Sequence, residues 1–218
     1  MEFLKRGLAG GLTMAAAFIG FAGTLYLFYL GLKALRPKKV RQEQRRILSH
    51  PFYPVCWRGR GTYLILCLEE TLIFYRQDLG DWEWILQKLW TISTCSEENW
   101  LDLWLDSAAE LLPSAVLAVD GPGGDAKEAA KARLLYTQAG FVMIVVNVIL
   151  ENLYEMAASW SAHTEAHDPE GLCRIDQAEE TMQSFGVPLP PREIVQRLAT
   201  EQKGASLGNA FDRLRLPR

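Results

Sequence analysis

The run FVMIVVNVIL, Phe141 to Leu150, decides how the rest of the chain is read. Its only polar side chain is Asn147, and Glu151 and Asn152 close it. A bilayer crossing takes about 20 apolar residues, so the run is too short to span a membrane and reads as a buried central strand entering a turn. Ahead of it, Ala126 to Ala139 carries helical spacing, and ahead of that a glycine-rich turn, Asp120 to Asp125, follows the apolar run Ala115 to Val119. The same alternation recurs upstream. The short apolar runs Tyr53 to Trp57 and Leu72 to Tyr75 are interleaved with helix-patterned Thr62 to Glu70, Trp82 to Trp90 and Trp100 to Leu112. Strand-like runs alternating with helices predict an α/β body, a mostly parallel sheet flanked by helices.

The amino terminus has a different texture. No residue from Gly7 to Leu32 is charged, and as a helix this segment would extend about 39 Å, more than the hydrocarbon core needs. It is too long for the apolar part of a cleaved signal and lacks the polar face of a surface helix. The segment therefore predicts a transmembrane anchor. Arg36, Lys38, Lys39, Arg41, Arg45 and Arg46 follow it, against Lys5 and Arg6 before it. That imbalance keeps the remainder on the cytoplasmic or matrix side of a bacterial inner or a mitochondrial membrane, and it also suits anionic headgroups. Tyr26 and Tyr29 fit an interfacial aromatic belt, and Gly7 with Gly11 and Ala16 with Gly20 offer small-residue spacings for a partner transmembrane helix. The expected organisation is an anchor over 1–36, an α/β domain over 37–203 and a tail over 204–218.

Composition narrows the function. The chain has 218 residues, 49% of them hydrophobic, and a net charge of −3. Neither the charge nor any basic and aromatic run predicts a nucleic-acid partner. Cys56, Cys67, Cys95 and Cys173 are widely spaced, which fits neither a zinc site nor a disulfide scaffold. No metal and no cofactor are expected. The turn after Val119 is neither GxGxxG nor GxxxxGK, and Asp120 and Asp125 put negative charge where a phosphate would sit; Asp125 reads as a helix cap.

The order of short blocks resembles the lysophospholipid acyltransferase-like superfamily, in particular its bacterial branch. PVCWRGR (Pro54 to Arg60) is similar to a Trp-His-Gly-Arg block, RQDLGDWEWILQKL (Arg76 to Leu89) to an acidic-Gly segment opening a helix, and STCSEENWLDLW (Ser93 to Trp104) to a serine-rich turn. AVDGPGGD (Ala118 to Asp125) is similar to the Asp-Gly-Pro strand end, and QAGFVMIVVNV and FGVPLPPREIVQRLATEQ to the closing strands and helix. The resemblance covers about residues 40 to 203. It implies acyl transfer to a lipid hydroxyl, with Asp120 in the acid-bearing loop, Arg58 at the position of the family's base histidine, and Gly59, Arg60, Gly121 and Gly123 at the lipid-binding positions. Arginine stays charged and cannot act as a base, and Gly123 stands where the family holds a phosphate with arginine. The implied protein is a catalytically degenerate relative acting on membrane lipid.

Other constellations are weaker. His163 and Asp168 share the family's His-x4-Asp spacing but follow the core runs, and His163 with His167 lacks a third ligand fixed by sequence. His50 reads as linker. Trp82, Trp84, Trp90, Trp100 and Trp104 crowd one third of the chain, suiting either a core or an interface with lipid or partner subunits. The alternative function is thus an accessory or structural subunit of a membrane complex, such as a mitochondrial respiratory or ATP synthase assembly.

Overall fold

A computed structural model describes residues 38–94, 99–118, 126–162, 169–191, 193–194 and 197. Two compact units divide the chain, Met1–Leu48 and Ser49–Arg218. Of the first, helix α1 (Lys38–Ser49) is described, with Arg45 and Arg46 exposed. The expected anchor, Gly7 to Leu32, lies outside the described residues.

The second unit overturns the α/β expectation: its described residues form helices and turns and no strand. The helices are α2 (Trp57–Phe74), α3 (Leu79–Thr94), α4 (Trp100–Ala109), one-turn α5 (Pro113–Val116), α6 (Ala126–Ala139), α7 (Met143–Ala162) and α8 (Pro169–Ser184), with a 3-10 turn at Gly140–Val142. Each expected strand is part of a helix or its boundary. Tyr53 to Trp57 is a turn leading into α2, Leu72 to Tyr75 its last turn, Ala115 and Val116 the end of α5, and Phe141 to Leu150 the 3-10 turn and the first part of α7. The central run does not stop at Glu151. Buried Val145, Val146, Ile149, Leu150, Leu153, Met156 and Ala157 continue past it at helical spacing, which a strand of period two would not produce.

Helices α2 and α7 form the centre. α2 packs on α3, α7 and α8, and α7 on α2, α4 and α8. Every residue from Trp57 to Ile65 is buried, so α2 has no solvent face through its first half and its arginines and glycines lie inside the body with the apolar side chains. Tryptophans tie the layers together. Trp57 Nε1 donates to Met156 O of α7 at 3.0 Å, Trp104 Nε1 to Leu89 O of α3 at 3.2 Å, and Trp90 Nε1 to a Glu69 carboxylate oxygen of α2 at 2.9 Å. Trp82 stacks on Tyr136 of α6, with centroids 5.7 Å apart. With Trp100, which is also buried, five tryptophans serve the core, each burying a large ring.

Turn chemistry sets the ends. The N–H of Val187 donates to Met182 O and that of Gly186 to Gln183 O, with Gly186 at φ +72, a Schellman stop for α8. α2 stops the same way, Gln77 N–H to Leu72 O and Arg76 N–H to Ile73 O, but with Arg76 at φ +54 where glycine is favoured. Gly140, at φ +60, separates α6 from α7.

Among the described residues, one helical stretch, Ala126–Ser159, is long and apolar enough to cross a membrane by length and composition. It is central in the chain rather than amino-terminal, it contains the Gly140 break, and 44% of its most apolar window is buried inside the body.

Close packing of α2 makes Gly61 a sensitive position. A Cβ there would lie 2.8 Å from Ile92 Cδ1, 3.6 Å from Leu153 Cδ1 and 3.7 Å from Met156 Cε. The Ile92 methyl is a movable side-chain end, and alanine gains about 1 kcal/mol of helix propensity over glycine. Gly61→Ala should therefore stay within about 1 kcal/mol of wild type, whereas Gly61→Leu should cost about 2–3 kcal/mol by overpacking. Urea denaturation measures both; equal midpoints for the leucine variant and wild type would contradict this packing.

Candidate functional site

Two regions carry unusual chemistry: the first turn of α2, singled out by sequence, and an open end where α2, α7 and α8 meet, which was not.

Cys56 caps α2, its Sγ accepting the Gly59 N–H at 3.4 Å. Burial pushes its thiol above the ordinary value, against the lowering pull of backbone hydrogen bonds and of Arg58 and Arg60, so this end carries a protonated thiol. Arg58 is 2% exposed and its guanidinium carbon lies 4.3 Å from the centroid of Trp100, a cation–π contact. Arg60, equally buried, donates from Nε to Phe52 O at 3.2 Å and from Nη2 to Tyr53 O at 3.4 Å. Arg58, Gly59 and Arg60 therefore lie within a buried helix turn, not at a strand end. They fasten α4 and the entry segment to α2. The other positions the resemblance implies, Asp120, Gly121 and Gly123, lie outside the described residues, as do His163, His167 and Asp168.

His50 is more than linker. Its Nδ1 accepts the Phe52 N–H at 3.2 Å, which leaves Nε2 to donate to Asp176 Oδ1 at 3.0 Å. The pair latches the segment before α2 to α8. Nearby, the Tyr63 hydroxyl donates to Glu179 Oε1 of α8 at 2.7 Å. Among the described residues no group of three His, Cys, Asp or Glu side chains is placed to hold a metal ion.

The second region is built from helix ends. Ile73 and Phe74 close α2, Phe141 and Ile144 open the α7 segment, and Phe185 follows α8; all five are exposed, Phe141 at 63% and Ile144 at 52%. Tyr75 joins them. Its ring stands edge-on to Phe141 at 5.2 Å and to Phe74 at 5.0 Å, and its hydroxyl donates to Phe185 O at 3.2 Å. From Phe185 a groove of about 510 Å³ runs between α7 and α8, lined among others by Val148, Glu151, Glu155, Arg174 and Glu180. Arg174 forms ion pairs with Glu155 and Glu170. Sequence reading missed this end because Phe141 and Ile144 were assigned to a buried strand. Helical phase is the signal that finds them: Phe141, Ile144 and Val148 recur three and four residues apart, on a different face from buried Val145, Ile149 and Leu153.

No protein-family model matches this chain, and neither does any curated protein or solved structure.

Proposed function

We propose that this chain is a single-pass membrane protein whose helical body is a docking unit, an accessory component of a larger membrane assembly. The observation that carries the reading is the open aromatic end: Phe74, Phe141 and Phe185 stay exposed with Ile73 and Ile144 on a body that buries five tryptophans. Contiguous exposed apolar groups of this kind favour a binding surface over a solvated one. The uncharged run from Gly7 to Leu32, followed by the cations Arg36 to Arg46, supports the tether and a body on the cytoplasmic or matrix side. Acyl transfer draws no support from Arg58, because a guanidinium that is buried and stacked on Trp100 cannot take a proton from an acceptor.

Two measurements test the proposal. Alkaline carbonate washing of membranes should leave the chain in the pellet, and removal of residues 1–36 should release it; wild-type chain in the supernatant would overturn the tether. In mild detergent the wild-type chain should migrate on native gels within an assembly several times its own mass. Phe141→Ser combined with Ile144→Ser should drop it to the free chain while leaving it in the membrane fraction. A wild-type chain that migrates alone would overturn the docking role.

A further inference from the structure

We infer that the groove between α7 and α8 seats a basic amphipathic helix of a partner protein, its apolar side chains on the aromatic end and its cations on the groove acids. The inference rests on the docking reading above and names the partner's chemistry.

The groove has two chemically different ends. On α7, Ile144, Val148, Glu151 and Glu155 fall at intervals of four, three and four residues, one continuous stripe about 16 Å long at 1.5 Å per residue. α8 runs antiparallel beside it, since Phe185 meets the Val148 end and Arg174 pairs with Glu155 at the other. Beyond Val148 the stripe passes out of the groove lining to exposed Ile144, one turn from Phe141, whose ring meets Tyr75 and through it Phe74, so this end is apolar. The opposite end presents Glu151, Glu155 and Glu180, and among the described residues the cation that lines it is Arg174, which already serves Glu155 and Glu170. Unbalanced carboxylates beside an apolar seat complement a segment with a large apolar side chain and lysine or arginine about two turns further on, the distance from Ile144 to Glu151.

Geometry selects among occupants. The carboxylates do not converge into a metal-binding group. An anionic bilayer surface would meet three glutamates, and a flat surface does not fill a groove between two helices. A helix of about three turns matches the length of the stripe, and laying an apolar face into a helical groove is an established mode of recognition.

The test uses the full chain in phosphatidylcholine nanodiscs, titrated into a fluorescein-labelled Leu/Lys amphipathic peptide and into a Leu/Glu peptide of equal length, with empty discs as baseline. The Leu/Lys peptide should bind saturably and weaken in high salt, and the Leu/Glu peptide should not bind. Glu151→Lys with Glu180→Lys, and separately Phe141→Ser with Ile144→Ser, should each weaken binding about ten-fold or more. All four positions are at least partly exposed, so circular dichroism should show unchanged helix content, and a pair that unfolds is replaced by Glu151→Gln with Glu180→Gln, which should weaken binding in the same direction. The inference is overturned if either pair binds like wild type, or if the Leu/Glu peptide binds equally. It is also overturned if the Phe141 pair changes only adhesion of the chain to phosphatidylglycerol vesicles, which would make this end a bilayer contact. Should the chain stay out of the discs, the tether falls, and the same titration on the free chain still decides the groove.

Discussion

Trp100→Ala is expected to destabilise the helical body by about 5 kcal/mol, a loss comparable with the whole stability of many domains. The indole is 4% exposed, lies 5.8 Å from the Trp57 ring centroid and forms the face on which the Arg58 guanidinium rests. Truncating a buried tryptophan costs about 3–5 kcal/mol in lost transfer energy and cavity. A desolvated cation–π contact with Arg58 contributes about 2 kcal/mol more. Trp100→Phe keeps a ring over the guanidinium and should cost about 2 kcal/mol or less. Arg58→Met removes the same contact from the side of the cation. The double variant Trp100→Ala, Arg58→Met should accordingly be less destabilised than the two single effects added together, by roughly the 2 kcal/mol of the contact. Urea denaturation of the chain in a non-ionic detergent gives all four values. A Trp100→Ala midpoint within about 1 kcal/mol of wild type would contradict the role assigned to this contact.

Helix positions were legible wherever the apolar spacing ran for more than two turns with polar residues between. Ala126 to Ala139 was read with the bounds that α6 has, and Trp82 to Trp90, Trp100 to Leu112 and Thr62 to Glu70 each fall largely within a helix. What failed were windows of four to six apolar residues. In such a window a helix buried on all sides and a strand of a parallel sheet look alike, because neither shows a polar face that would reveal its period. Phe141 to Leu150 reads as a run interrupted by Asn147 and closed by Glu151, yet those two side chains sit on the less buried side of one long helix whose other side fills the core. The same ambiguity misplaced the candidate site. WRGR resembles a block at the end of a short strand, and no local pattern reveals that Arg58 meets a ring 42 residues downstream. His50 was dismissed for a related reason: Asp176 lies 126 residues away, a pairing set by tertiary packing alone.

Between about pH 9 and pH 11 the body should lose several kcal/mol of stability, of which roughly 4 kcal/mol should trace to Cys67 and Tyr63 in the interior of α2. Cys67 is buried completely; burial, and then the charge of Glu179, hold its thiol well above the ordinary 9.0. Burial likewise keeps the Tyr63 hydroxyl far above its ordinary 10.0, and its neighbours Cys67 and Glu179, the latter as both hydrogen-bond acceptor and charge, push the same way. Both groups hold their protons more tightly folded than unfolded. Their stabilising contribution is therefore complete below the ordinary thiol and phenol range, and it drains away as pH rises, because only the unfolded chain can release the proton. Each group past its unfolded value removes about 1.4 kcal/mol per pH unit. Urea midpoints across this range should fall steadily, and tyrosinate absorbance from Tyr63 should appear only on unfolding. Cys67→Ala, measured against its own value at pH 8, should lose clearly less than wild type over the same interval, since what remains comes from Tyr63, Tyr136 and Cys56, whose protons burial also holds. Stability that stays flat to pH 11 would mean that water reaches Cys67 and Tyr63, and that the α2–α8 contact holding Glu179 over them is not formed.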